Sequence, residues 1–153
     1  MSDKLKSAIF NVLGDIEGLS VLDAFAGSGA LAFEAISRGA SHATLIEQDK
    51  RAVVTIKRNI EALELDGKVK FVAAYTHSWS GRHKAQKFEI IFMDPPFDNL
   101  QEKTIGKISH HLSQNGILVL NFPSRERPPY ELKHLHLVKQ KTHGTSQLLF
   151  YKH

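Results

Sequence analysis

Val21-Leu22-Asp23-Ala24-Phe25-Ala26-Gly27-Ser28-Gly29-Ala30 decides the fold. An apolar run ends in a carboxylate, and two glycines then bracket a serine. That order predicts a buried strand, a sharp turn and the start of a helix. Glycine has no Cβ, so a ligand can approach the turn's backbone closely. The helix that follows aims free N–H groups and the positive end of its dipole at whatever sits there. Asp23 lies at the strand's C-terminal end, and Phe25 and Ala26 enter the turn. Glu47 follows Gly27 by 20 residues. It closes a second predicted strand, where a carboxylate can accept hydrogen bonds from both ribose hydroxyls of a nucleoside. Gln48 comes next to it.

Working outward, helices are predicted over 3–13, 28–38, 49–65 and 100–112. Strands are predicted over 19–25, 43–47, 69–74, 88–93 and 116–122. A polar loop is expected from the third strand through Lys87. After Pro123, Pro128 and Pro129, the segments 132–140 and 146–151 are joined by 141–145, with Gly144 at the turn, and read as an antiparallel hairpin. Alternating strands and helices imply a parallel sheet covered on both faces. The expected class is α/β: seven strands, mostly parallel, closed by a C-terminal antiparallel hairpin, in a single domain over 1–153.

The second informative stretch is Ile90-Ile91-Phe92-Met93-Asp94-Pro95-Pro96-Phe97. In a doubly wound sheet the C-terminal strand ends line the ligand crevice, so both motifs should open on one cleft. Proline fixes φ and lacks an N–H, which leaves its carbonyl free to accept. Asp94 and the Pro95 carbonyl can hold the two hydrogens of an aromatic amine. Pro96 stiffens the turn, and Phe97 offers a face on which a base can stack. A base inside a duplex cannot reach such a pocket, so it must be unpaired or flipped out.

Two cofactors suit the first turn. Gly27-Ser28-Gly29-Ala30-Leu31-Ala32 satisfies the G-x-G-x-x-G/A pattern of NAD enzymes. S-adenosylmethionine (SAM) brings a sulfonium and an ammonium, which favour a nearby carboxylate such as Asp23. The amine-binding turn selects SAM, with methyl transfer to a nucleobase amine as the chemistry.

These residues resemble the bacterial RsmD-like family, which methylates N2 of a guanine in small-subunit (16S) ribosomal RNA. The likeness runs through Phe10-Asn11 in the first helix, through Asp23 to Leu31 with Glu34-Ala35 and Ser37-Arg38-Gly39-Ala40, and through Asp94-Pro95-Pro96-Phe97. It implies a Rossmann-like SAM-dependent methyltransferase fold, with Asp94 and Pro95 at the amine and Glu47 on the ribose. It also implies ribosomal RNA, or an assembling small subunit, as partner. The sequence departs from the family pattern twice. Members begin with a β-hairpin arm ahead of the first helix, and this sequence starts after it, as a truncated chain or a short variant would. After the third strand, where an acidic or amide residue often meets the adenine amine, this chain has Tyr75. Tyr75 is therefore expected beside the adenine.

Composition narrows the alternatives. The 153 residues are 42% hydrophobic, enough for one core. No cysteine is present, which removes disulfides and thiolate chemistry and fits a cytosolic protein. No apolar run reaches membrane-spanning length. The net charge is +4, compatible with a nucleic-acid partner. Nine histidines are expected on helix and strand surfaces, with no metal site. Arg125, Arg127, Lys133, Lys139 and Lys141 suit a solvated surface and phosphate contact equally. Trp79, in the polar loop, suits a flap over the ligand or a side chain tucked inward. A monomer is expected. Two other readings are a DNA adenine or cytosine amino-methyltransferase, disfavoured because no target-recognition domain is visible, and a catalytically silent RNA- or SAM-binding module.

Overall fold

Strands with no polar face must be covered on both sides, and two such strands form the centre of this molecule. They are β1 (Ser20–Asp23) and β4 (Phe88–Met93), neighbours in the sheet. The computed structural model describes residues 1–153. Its other strands are β2 (His42–Glu47), β3 (Val69–Ala73), β5 (Leu112–Pro123), β6 (His136–His143) and β7 (Ser146–Lys152). Together they make one seven-stranded sheet in the order β3-β2-β1-β4-β5-β7-β6. The first five strands pair in parallel; β7 runs antiparallel to both β5 and β6. The strand order reverses between β1 and β4. Crevices open at such switch points, outside the C-terminal strand ends.

Helices α1 (Asp3–Leu13), α2 (Ala30–Ser37) and α3 (Lys50–Ala62) cover one face. Their Ile9, Phe10, Leu31, Ala35, Ile56 and Ile60 pack against Val21, Leu45, Ile90, Phe92, Leu148 and Phe150. Phe10 meets Phe92 edge to face at 5.9 Å. Helices α4 (Thr76–Arg82) and α5 (Glu102–Ser109) cover the other face. There Trp79, Ile105 and Ile108 meet Leu22, Ile91, Met93, Leu118 and Leu120. Alternate residues of each strand serve opposite cores, as the two-residue pleat requires.

Helix ends follow local chemistry. Ser2 Oγ accepts from the Leu5 N–H at 3.3 Å and starts α1. Asp49 caps α3 through the N–H groups of Arg51 and Ala52, both at 2.9 Å.

The expected sheet is present, with local corrections. The polar loop before Lys87 contains α4, and its Trp79 is tucked inward at 2% exposure, beside Phe88 and His111. His111 is buried rather than on the surface. Its ring bonds Ser80 Oγ at 2.9 Å and the Gln86 carbonyl at 2.8 Å. Strand β5 begins four residues early, because Leu112 already pairs with Phe88 ahead of a bulge. The hairpin is shifted and tighter, turning at Gly144-Thr145; its first strand begins at His136 rather than at 132, after a short 3-10 turn at Tyr130–Leu132.

Candidate functional site

Backbone constraints build the site first. The Ala26 N–H donates to the Ile46 carbonyl and the Gly29 N–H to the Ala26 carbonyl, which folds the chain back on itself after β1. Gly27 and Gly29 have φ of 54° and 83°, in the left-handed region that favours glycine. Their reasons differ. A Cβ on Gly29 would lie 2.6 Å from the Phe33 ring, so Gly29 serves the packing of α2. A Cβ on Gly27 would meet nothing within 4 Å, so Gly27 leaves its backbone open to the crevice.

That crevice is a cavity of about 410 Å³ at the ends of β1, β2 and β4. Asp23, Phe25, Ala26, Gly27, Ser28, Glu47, Gln48, Asp94 and Pro96 line it, so the two sequence motifs share one cleft. Four expected residues lie outside the lining. Gly29 and Pro95 are buried, Phe97 is 40% exposed beyond the rim, and Tyr75 is 67% exposed. Tyr75 precedes α4 and lines a shallow groove with Lys50, Val53, Ala73 and Ala74. Gln48 lines both the cavity and the groove.

Glu47 is held by three backbone donors. The Gly27 N–H reaches Oε2 at 2.7 Å; the N–H groups of Gln48 and Asp49 reach Oε1 at 2.8 Å each. Charge-assisted bonds of this kind lock the carboxylate in place at the cavity wall. Asp23 is in the opposite situation. It is 1% exposed, and its Oδ1 has no partner. Burial, then the nearby Asp94 charge, push its pKa up to about 8. Asp94 is also raised by burial, while an N–H from Asn121 pulls it back. That bond runs from Asn121 Nδ2 to Asp94 Oδ1 at 2.8 Å.

Three lining or supporting residues escape the motif reading. Asn121 is a polar side chain at 5% exposure inside the apolar run Leu118-Val119-Leu120-Asn121-Phe122, a pattern that could have flagged it. Thr76 donates its hydroxyl to the Ala24 carbonyl at 2.6 Å and lines the cavity. Gln101 lines it too, with a left-handed φ of 52° and a side chain that makes no capping bond to α5. No group of three or more His, Cys, Asp or Glu side chains gathers at metal-binding spacing.

Residues 1–152 match the family model described as Conserved hypothetical protein 95. The chain belongs to that family. Its motif likeness to the RsmD-like proteins is borne out by relatives within it. The Haemophilus influenzae protein named ribosomal RNA small subunit methyltransferase D is 30% identical over 156 residues, covering 98% of this chain and 80% of that one. The Escherichia coli protein of the same name is 39% identical over 107 residues, 69% of this chain and 53% of that one. Among solved structures, a conserved hypothetical protein of Streptococcus pyogenes superposes with a TM-score of 0.86 at 30% identity, covering 97% of this chain and 95% of that one. The family fold is the mixed seven-stranded sheet seen here.

Proposed function

We propose that this chain transfers a methyl group from SAM to the exocyclic N2 amine of a guanine in small-subunit ribosomal RNA. The observation that carries the reading is the shared cavity. An amide-held carboxylate, Asp94, faces the same space as the open Gly27 backbone and the fixed Glu47. The relatives named as ribosomal RNA small subunit methyltransferases support ribosomal RNA as the substrate class.

The residues present fit SAM. Asp23 has a buried carboxylate oxygen lacking a partner, which an ammonium can satisfy. Gly27 borders open space and carries no Cβ, so its backbone is accessible to a ligand. Glu47 is placed for ribose hydroxyls. Gln48 leads from the cavity toward Tyr75, where the adenine would lie. When bound, SAM supplies an electrophilic methyl on a sulfonium.

The chain's own groups handle the amine. An aromatic amine is a weak nucleophile because its lone pair is delocalised into the ring. Asn121 engages Asp94 Oδ1, which leaves Oδ2 to accept one amine hydrogen. The Pro95 carbonyl takes the other. Holding both hydrogens aims the lone pair and stabilises the positive charge that develops on nitrogen. The nitrogen gains a methyl and loses a proton, and the raised pKa of Asp94 makes it a competent acceptor. Phe97, exposed outside the cavity lining, would stack on the base as it enters.

The test is to incubate the chain with methyl-labelled SAM and, separately, deproteinised ribosomal RNA, partly assembled small subunits and DNA. The expected product is N2-methylguanine in RNA. Label on DNA adenine or cytosine, or SAM binding without transfer to any substrate, would overturn the proposal.

A further inference from the structure

Beyond Asp94 the same end of the sheet carries cations that the reaction does not use. Strand β5 ends at Pro123, and a loop over 124–129 follows. Two bonds tie this loop to the hairpin tip: Ser124 N–H to the Thr145 carbonyl at 2.8 Å, and Ser124 Oγ to the Gly144 carbonyl at 3.1 Å. A deeper clamp comes from Gln147, which is 2% exposed. Its Nε2 donates to the carbonyls of Pro123 and Glu126, both at 2.8 Å, while its Oε1 accepts from Gln140 at 2.6 Å. A buried amide with all these bonds made fixes the backbone it holds.

That backbone presents Arg125 and Arg127. Both are exposed, and neither joins an ion pair; the only pairs are Lys6–Asp3 and Arg38–Glu34. Glu126, between them, lies within electrostatic reach of Glu102, which also neighbours Glu131. Lys141 joins from the hairpin. Asn121 pairs with Leu148, and Leu148 with Lys141, so the three side chains share one face of the sheet. Two strand spacings separate Lys141 from Asn121, about 10 Å. The Asn121 amide is the one that holds Asp94. Arginine forks match phosphate oxygens, and lysine adds a point charge. A loop already held in place loses little freedom on binding.

We propose that Arg125, Arg127 and Lys141 form a phosphate-binding rim that seats the RNA strand entering the Asp94 cavity, with Gln147 as the residue that positions it. The proposal rests on the RNA reading above and adds the surface that grips the substrate.

The probe is a fluorescently labelled single-stranded RNA oligonucleotide containing guanine, titrated with the full chain across a salt series. SAM affinity and thermal unfolding are measured beside it. The variant R125A/R127A/K141A is expected to keep both of those while losing RNA affinity. Its plot of log K against log salt should be shallower by about 2, at roughly 0.7 per single-strand phosphate contact. In turnover, KM for RNA should rise while kcat at saturating RNA is kept. Gln147→Leu should flatten the slope without removing a charge; if it fails to fold, the surface variant carries the test alone. An unchanged slope and affinity in that variant overturns the rim, whether or not methyl transfer is observed. A rim-dependent slope in a chain that methylates no guanine sustains the rim and removes only the assigned reaction.

Discussion

On one side of β4, through β1, β2 and β3, the crevice presents Asp23, Glu47 and Asp49. On the other side, through β5, β7 and β6, the molecule presents Arg125, Arg127, Lys139 and Lys141. The first group is largely committed within the protein. Glu47 takes three backbone N–H groups and Asp49 takes two, so their positions are set before any ligand arrives. The second group forms no ion pair. A pre-set acidic cradle suits a small cationic ligand of fixed shape. A field of unpaired cations suits a polyanion whose register is not fixed by one contact. Asp94 stands at the border, lining the crevice while its Oδ1 accepts from Asn121 of β5, where the proposed transfer would take place.

Asp94→Ala gives the largest effect and tests that border. Turnover should fall by about 10²–10³, as for removal of one preorganised polar group, with SAM and RNA affinities nearly unchanged. If calorimetry shows SAM binding lost as well, Asp94 belongs to the acidic half. Glu47→Ala comes next. It should weaken SAM by about 1.5–3 kcal/mol and leave RNA affinity intact. Equal losses for both ligands would erase the division between the halves.

Asp23 tests the acidic half through pH. Between about pH 4 and 8 the folded chain keeps the Asp23 proton while the unfolded chain has released it. The unfolded state then binds fewer protons, so stability falls as pH rises through this window. Asp23→Asn removes that dependence. Relative to the wild type, it should gain about 1–2 kcal/mol between pH 6 and 8 without SAM, read from denaturant midpoints. Wild-type SAM affinity should tighten over the same range, because an ionised Asp23 is what an ammonium needs. A pH-independent difference between the two proteins would show that Asp23 is ionised throughout. The smallest effect is at Gln101. Glycine there relieves a left-handed φ of 52° at some cost in chain entropy, for a net gain of about 0.5 kcal/mol in a thermal melt. A lower melting temperature would mean that the Gln101 side chain stabilises the cavity wall.

The sequence was most legible where backbone chemistry dictates structure. The Gly27-Ser28-Gly29 turn and the apolar strands before Asp23 and Asp94 required particular residue types and could be read directly. Helix α4 was not legible. Thr76-His77-Ser78-Trp79-Ser80-Gly81-Arg82 holds one large apolar residue and a glycine, so it has no periodic stripe; the burial of Trp79 stabilises it. Asn121 stands out as a polar residue in an apolar run, but its role stayed hidden for another reason. Its bond to Asp94 depends on the register of β5 against β4, which is a tertiary property. Gln101 reaches the cavity through a left-handed backbone that nothing in its side chain announces.

The order β5-β7-β6 has a consequence for how the chain folds. Strand β6 is made before β7, yet β7 separates it from β5. Until β7 arrives, β6 has no partner on either side. It then exposes an unpaired edge containing Leu137 and Val138, the kind of segment that recruits other chains. Its neighbours Lys139 and Lys141 oppose that, since lysines on an edge strand discourage strand addition. One of the cations assigned to the RNA rim thus also protects the half-made sheet. Replacing Lys139 and Lys141 by threonine should leave the folded state nearly unchanged and lower the yield of refolding as protein concentration rises.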